Sequence, residues 1–341
     1  MRHSLRFAGR ALAAAGALLL ASGAASAQVV IKMATLVPEG SDWHRIVLEM
    51  VDQWRKAGKG QIDVRLYPGG RAGDDVDVVR KMRLGTLNAA LLTSAGLTEI
   101  DRGAMAMEIP MAYANYGEFD CAVEKVGSAV ERRMEAKGFE LLGWADAGYI
   151  QFFTKSPVRT PDDLRKLKMF AWAGDDQYVE LWKSAGFNPV PLPSTELATA
   201  LKTGLVGAVS TTPQVAVTLQ YVNDARNMTE IDWAVLAGGF VVSKATWEKI
   251  PADVRPQLLA AAREAGRKLS QSTRAATPRD LDAIKRRGVT VVTLSPADRE
   301  RWTKLVESVY AKVRGPLVPA DMFDMALRTR DECRAKGKAG R

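Results

Sequence analysis

The chain has 341 residues, close to half of them hydrophobic and 26% charged, with a formal net charge of +9. That is too long for one ordinary core and too apolar for a disordered segment, so two globular domains are the starting expectation. The positive charge is spread along the whole length without a basic stripe interleaved with aromatics, which argues against nucleic acid as a partner.

The first residues read as an address. Arg2, Arg6 and Arg10 precede a small, apolar run from Ala11 to Ala21, and Ala25-Ser26-Ala27 is the small-x-small pattern of a signal-peptidase site. Residues 1–27 are therefore expected to be a cleaved signal peptide, with the mature chain beginning at Gln28 in the periplasm. The run is too short for a stable membrane anchor, and no other stretch approaches about twenty uninterrupted apolar residues. No cysteine follows the cut, which speaks against lipid anchoring. Loss of the leader's three arginines lowers the formal charge to +6 for a mature chain of about 314 residues.

Val29 to Ala34 reads as a buried strand, followed by a turn at Pro38-Glu39-Gly40. Ser41 is placed to cap a helix whose apolar face is Trp43, Ile46, Val47, Met50, Val51 and Trp54. Gln61 to Tyr67 alternates as a strand, Asp74 to Leu84 as an amphipathic helix stopped by Gly85, and Ala89 to Thr93 as a third strand. This strand–helix order predicts a doubly wound parallel sheet. A second unit then begins. Phe139 to Trp144 and Tyr149 to Thr154 read as strands, Thr160 to Leu164 as a capped turn and Lys168 to Trp172 as a strand. Helices over Asp175 to Ala185 and Ser194 to Leu201 and a strand over Val206 to Ser210 follow. The chain closes with a strand at 238–242, a long helix from Ala252 to about Arg286, a strand over Gly288 to Leu294 and a helix over Pro296 to Val313. Two α/β units with a late return segment imply repeated crossing between domains and a cleft at the carboxyl ends of their strands. Residues 28–149 with about 238–280 are assigned to lobe I. Residues 150–237 with about 281–327 go to lobe II, and 328–341 to a basic, solvated tail.

Catalytic constellations are missing from the pattern. His44 is the single histidine after the leader, and no nucleophile elbow, phosphate loop, H-E-x-x-H or C-x-x-C motif occurs. The pairs Asp74-Asp75 and Asp175-Asp176 read as helix starts favoured by the helix dipole. No catalytic residue, metal or cofactor is expected. Cys121 and Cys333 could bridge in an oxidising compartment, but two isolated cysteines in a large core-bearing chain are more often incidental.

Several blocks in fixed order carry a family likeness. Pro161-Asp162-Asp163-Leu164 is followed by Lys166-Leu167-Lys168-Met169, then by Pro191 to Leu197 and Ala200-Leu201-Lys202-Thr203-Gly204-Leu205-Val206. Pro68-Gly69-Gly70, Met82-Arg83-Leu84-Gly85 and Glu108-Ile109-Pro110 precede them. In this the chain resembles the substrate-binding, DctP-type subunit of tripartite ATP-independent periplasmic (TRAP) transporters over nearly all its mature length. The resemblance implies two α/β lobes joined by hinge strands and a long helix lying across both. Function would be closure on a small organic ligand and its handover to TRAP membrane subunits, the chain itself not being membrane-embedded.

The departures bear on the ligand. Most relatives place an arginine two residues after the lysine that here is Lys168, where its planar fork pairs with a substrate carboxylate. Here that position is Phe170, in Lys168-Met169-Phe170-Ala171-Trp172, which is similar to a branch of the family with K-x-W-x-W there. A second arginine of relatives is replaced by Tyr149, Ile150 and Gln151 after Gly148, and their asparagine falls on Thr211. The expected ligand is therefore more apolar than a dicarboxylate. Trp43, Phe170 and Trp172 (with Trp144 a further aromatic candidate) would supply contact area, and Gln151, Ser210 and Thr211 would orient a polar end. Competing readings are that Phe170 and Trp172 are plain core, that anchors for an organic acid have moved elsewhere, or that the scaffold serves a periplasmic enzyme or a sensor receptor.

Overall fold

The computed structural model describes residues 28–339, side chains of 337–339 aside, so the expected signal peptide lies outside the described residues. In chain order, β1 (Val29–Thr35), α1 (Asp42–Ala57), β2 (Ile62–Tyr67), α2 (Asp75–Arg83), β3 (Ala89–Thr93) and α3 (Ser94–Ile100) open lobe I. A 3-10 segment (Arg102–Met107), α4 (Tyr116–Ala136) and β4 (Phe139–Tyr149) complete this first pass. Lobe II holds β5 (Gln151–Thr154), α5 (Pro161–Arg165), β6 (Lys168–Trp172), α6 (Asp176–Ser184) and β7 (Asn188–Leu192). It continues with α7 (Leu197–Thr203), β8 (Ala208–Thr211), α8 (Pro213–Thr218) and β9 (Asn227–Glu230). The chain returns through β10 (Val235–Ser243) and α9 (Lys244–Trp247), then runs α10 (Arg255–Arg286) across both lobes. β11 (Thr290–Thr293) and α11 (Pro296–Val313) join lobe II, and α12 (Ala320–Ala339) ends the described chain.

The local signals act as their chemistry dictates. Ser41 accepts the His44 backbone N–H at 3.1 Å and so starts α1, whose face of Trp43, Val47, Met50, Val51 and Trp54 is buried. His44 turns its Nδ1 to the Gly40 N–H at 3.1 Å, a local structural role. Lobe I forms a five-stranded sheet in the order β2-β1-β3-β10-β4, and lobe II a six-stranded sheet in the order β11-β9-β5-β8-β6-β7. The expected all-parallel pattern holds for β2-β1-β3 and for β8-β6-β7, while β10 lies antiparallel between β3 and β4. The mixture follows from the topology, because β10 enters lobe I from lobe II and therefore runs against its neighbours.

Two adjacent strands form the hinge. β4 and β5 are nearly one continuous strand bent at Ile150. The return segment from β9 to β10 runs beside it, Ile150 N–H donating to Ala234 O at 2.8 Å and Trp233 N–H to Ile150 O at 2.9 Å. α10 is the third connection. Leu258, Ala262 and Leu269 pack into the lobe I core, and Ile284 into that of lobe II. It lies unusually close to β4. A Cβ on Gly266 would sit 2.0 Å from the Trp144 carbonyl oxygen, and one on Gly143 would sit 2.9 Å from Ala262 O.

Two expectations for the end of the chain are corrected. Residues 328–339 are not a solvated tail but the second half of α12, which packs on α4 of lobe I and contributes Met322, Phe323 and Ala326 to the lobe I core. Val313, Leu317 and Val318 belong to the same core, so the chain leaves lobe II near 313 and not near 327. Cys121 on α4 and Cys333 on α12 form a disulfide, backed by Arg334 donating to both carboxylate oxygens of Glu118 at 2.7 and 3.0 Å.

The bare α10–β4 crossing makes a sharp prediction. Gly266→Ala should destabilise the protein by about 1–3 kcal/mol and lower Tm by several degrees in a thermal melt. Gly207→Ala, whose Cβ would meet nothing nearer than 3.7 Å, should change Tm much less.

Candidate functional site

A cavity of about 450 Å³ lies between the lobes, a size suited to one small organic molecule. Its walls are the carboxyl ends of strands from both sheets: Thr35 and Leu36 after β1, Leu92 and Thr93 of β3, Trp172 of β6 and Thr211 of β8. This is where open α/β sheets leave space, because the connections to the helices splay there.

Five of the six residues predicted from sequence meet at this cavity. Trp43, Phe170, Trp172, Ser210 and Thr211 all line it. Trp43 has its indole N–H satisfied by Thr273 Oγ1 on α10 at 2.9 Å, which fixes the ring against the chamber. Phe170 meets Trp172 edge to face with ring centroids 5.6 Å apart. Phe170 is also part of the lobe II core and only 5% exposed, so the plain-core reading describes most of its surface. Trp172 is the more open of the two. The sixth residue, Gln151, lies in the hinge. Its Oε1 accepts the Ile231 and Asp232 N–H groups at 2.7 and 3.0 Å, and its Nε2 donates to Asp232 Oδ1 at 2.7 Å. With both ends of its amide engaged, Gln151 staples the bend of the return strand. Trp144 packs beside Gly127 in the lobe I core, outside the cavity lining.

Charged residues reach the cavity that sequence reasoning did not select. Arg102 is the one lining cation among the described residues, and it is already engaged. Its Nη1 lies 3.1 Å from Asp175 Oδ1, and its Nε donates to Leu317 O at 2.9 Å. Asp146 takes Arg274 Nη2 at 2.7 Å, and Glu99 takes Arg83 Nη1 at 2.6 Å. Arg274 also stacks over the Tyr116 ring at 4.2 Å, tying α10 to lobe I at the root of the hinge. Glu108 has no such partner.

The lobes are latched to each other. Asp74, the N-cap of α2 in lobe I, accepts from the Ser194 backbone N–H at 2.7 Å and its hydroxyl at 2.8 Å in lobe II. The Arg102–Asp175 pair is a second bridge between the lobes. The adjacent carboxylates predicted as helix starts thus divide their roles. Asp74 caps α2 and bridges the lobes. Asp75 turns inward to Thr93, accepting its N–H at 2.8 Å and its hydroxyl at 2.6 Å.

The chain therefore has the two-lobe, mixed α/β architecture of periplasmic binding proteins, with the cavity at the hinge. Residues 33–315 match the family described as bacterial extracellular solute-binding protein, family 7, and the chain belongs to that family. The C4-dicarboxylate-binding periplasmic protein DctP of Rhodobacter capsulatus is 24% identical over 305 residues, covering 87% of this chain and 90% of that protein. Among solved structures, a TRAP periplasmic solute-binding protein from Ralstonia eutropha with bound (S)-2-acetolactate superposes with a TM-score of 0.82 at 22% identity. It covers 89% of this chain and 99% of its own. One from Shewanella oneidensis with bound succinate gives 0.81 at 22% identity over 89% and 100%. These structures establish the fold. The family and its structural neighbours are substrate-binding proteins outside the cytoplasm, and no described helix is long and apolar enough to cross a membrane.

Two tests follow from the latch and from Asp75. Ser194→Ala removes one lobe-to-lobe hydrogen bond without touching the aromatic walls. It should weaken ligand binding several-fold in a tryptophan-fluorescence titration, and an unchanged affinity would show that the latch takes no part in closure. Burial pushes the Asp75 carboxyl up to about 7, against the opposing Thr93 hydroxyl and N–H, with the Asp74 charge adding to the rise. A carboxyl whose folded pKa is raised binds protons more readily in the native state. Its contribution is therefore favourable at low pH and is lost as pH climbs toward 7. Tm should fall between pH 5 and pH 8, and Asp75→Asn should make that slope shallower.

Proposed function

We propose that the chain is the solute-capturing subunit of a TRAP-type transport system and that its cavity takes a small organic ligand more apolar than a C4-dicarboxylate. The supporting observation is the wall formed by Phe170 and Trp172, which stands where the family resemblance would put a carboxylate-binding arginine at Phe170. Arg102, the one cation lining the cavity among the described residues, has its charge balanced by Asp175 and its Nε spent on Leu317 O, which lowers what it can offer a ligand carboxylate. A bidentate guanidinium–carboxylate pair contributes about 1.5–3 kcal/mol per hydrogen bond, which a succinate bound here would forgo. Aromatic faces supply dispersion and apolar burial in its place. Ser210 and Thr211, at the carboxyl end of β8, offer neutral hydrogen bonding to a polar end. Closure of the lobes over the ligand, stabilised by the Asp74–Ser194 latch, would present one rigid surface to the membrane subunits.

The relatives named above bind acids by their descriptions, which favours a second reading with Arg102 as a relocated anchor. Native mass spectrometry of the purified protein should reveal a co-purified apolar compound. Tryptophan-fluorescence titration should register aromatic or medium-chain aliphatic compounds well ahead of succinate, and Trp172→Ala should weaken them by about tenfold. Tight succinate binding that is abolished by Arg102→Ala would establish the second reading and end the first.

A further inference from the structure

Four carboxylates line the cavity, and three of them have an arginine: Glu99 with Arg83, Asp146 with Arg274, Asp175 with Arg102. Glu108 is the exception. It ends the 3-10 segment that carries Arg102, its backbone N–H closing on Met105 O at 3.0 Å. Its side chain enters the cavity beside Ser94 and the Ala237 backbone, and the Oε2 atom is shut away from solvent with no hydrogen-bond partner. An enclosed carboxylate oxygen with an empty acceptor site is costly unless something donates to it.

We propose that Glu108 is a ligand-binding residue that accepts a hydrogen bond from a donor group, ammonium or hydroxyl, at the polar end of the otherwise apolar ligand. This rests on the apolar-cavity reading and adds the sign of the polar end. A ligand carboxylate would face an uncompensated charge of its own sign, since Arg102 is committed to Asp175. An ammonium would supply the counter-ion that Glu108 lacks, and a hydroxyl would fill the acceptor site without changing the charge.

The surroundings make the interaction readable by pH. Burial raises the Glu108 carboxyl to about 7, with the Ser94 hydroxyl and the Ala237 N–H pulling the other way. Tyr178, whose hydroxyl feels the Glu108 charge, is itself pushed up by burial far beyond the neutral range. Neither lysine nor histidine lines the cavity among the described residues. Asp75 is the other nearby group raised to about 7, but its carboxyl is turned to Thr93 behind the wall. Glu108 therefore gains charge between pH 5.5 and 8.5 inside the chamber, and a variant at this one position separates its effect from that of Asp75.

The test uses three probes of shared skeleton, 2-phenylethylamine, 2-phenylethanol and phenylacetate, titrated into the full-length mature protein at pH 5.5 and 8.5 by tryptophan fluorescence and calorimetry. The amine should bind tenfold or more tightly at pH 8.5 than at pH 5.5, phenylacetate should show the reverse trend, and the alcohol should change little. Glu108→Gln, close in shape and uncharged, should flatten the amine profile and weaken its binding at pH 8.5 about tenfold. It should leave the alcohol within about twofold and relieve phenylacetate. If the amine leads, the donor is an ammonium; if the alcohol leads while the carboxylate fails, it is a hydroxyl. Phenylacetate binding best at pH 8.5, or a wild-type pH profile unchanged by Glu108→Gln, would overturn the assignment while leaving the apolar reading in place. Failure of all three probes beside tight succinate binding would overturn both.

Discussion

The contact on which the rest depends is the crossing of α10 over β4, where two glycines let backbone meet backbone. Gly266 touches the Trp144 carbonyl, Gly143 faces Ala262, and the Asp146 N–H reaches Ser270 Oγ at 3.0 Å. Side chains at those points would hold the helix a further ångström or more from the sheet, and the polar contacts beside them would be lost. The thirty-two residues of α10 span about 48 Å, enough to brace both lobes with one rigid element. The lobes are thus joined by three connections, α10 on one side and, on the other, the strand pair that meets at Ile150 and 231–234.

From this constraint the character of the site follows. Motion about a short hinge brings the carboxyl ends of two sheets together, so each wall is made of whatever residues close those strands. In lobe I these are Thr35, Leu36 and Thr93, and in lobe II Trp172 and Thr211. Arginines exist nearby but are spent on structure: Arg274 locks Asp146 and Asp120 to α10, and Arg102 bridges to Asp175. In this chain the strand ends carry aromatic content, and the two lobes are joined by the Asp74–Ser194 hydrogen bonds and the Arg102–Asp175 pair.

Much of this was legible in the sequence because the period-2 and period-3.6 signals lie on elements whose burial is one-sided. Trp43, Phe170, Trp172, Ser210 and Thr211 line the cavity, and it was the family resemblance that singled out Phe170 and Thr211, the other three entering as aromatic or hydrogen-bonding candidates around them. Gln151 was misplaced because the hinge backbone competes for it: the N–H groups of Ile231 and Asp232 have no ladder partner at the bend and take its carbonyl. Glu108 was read only as part of a family-like block, since nothing local reveals that its carboxyl is enclosed without a counter-ion. α4 was passed over although Phe119, Ala122, Val126, Val130 and Met134 recur at helical spacing, and β7 because Pro189 and Pro191 discourage a strand. Both prolines sit on the edge of the sheet, where a missing N–H costs nothing. Residues 328–341 were taken for a solvated terminus because lysines and arginines outnumber the apolar residues there, while Met322, Phe323 and Ala326, which fasten the same helix to lobe I, lie just before them.

The bond between Cys121 and Cys333 spans 212 residues of chain and ties the final helix to lobe I. Manufacture of the protein inherits an order from this. Secretion delivers the chain from its N-terminus, so the partner of Cys121 arrives only when nearly everything else is already outside. Until then Val313, Leu317 and Val318, which roof one end of the ligand chamber, have no covalent hold on the lobe they must cover. Closing this bond therefore needs nearly the whole chain to be present and an oxidising surrounding. A chain cut short before α12 would keep Val313, Leu317 and Val318 but lose Met322, Phe323 and Ala326, which pack in the same core.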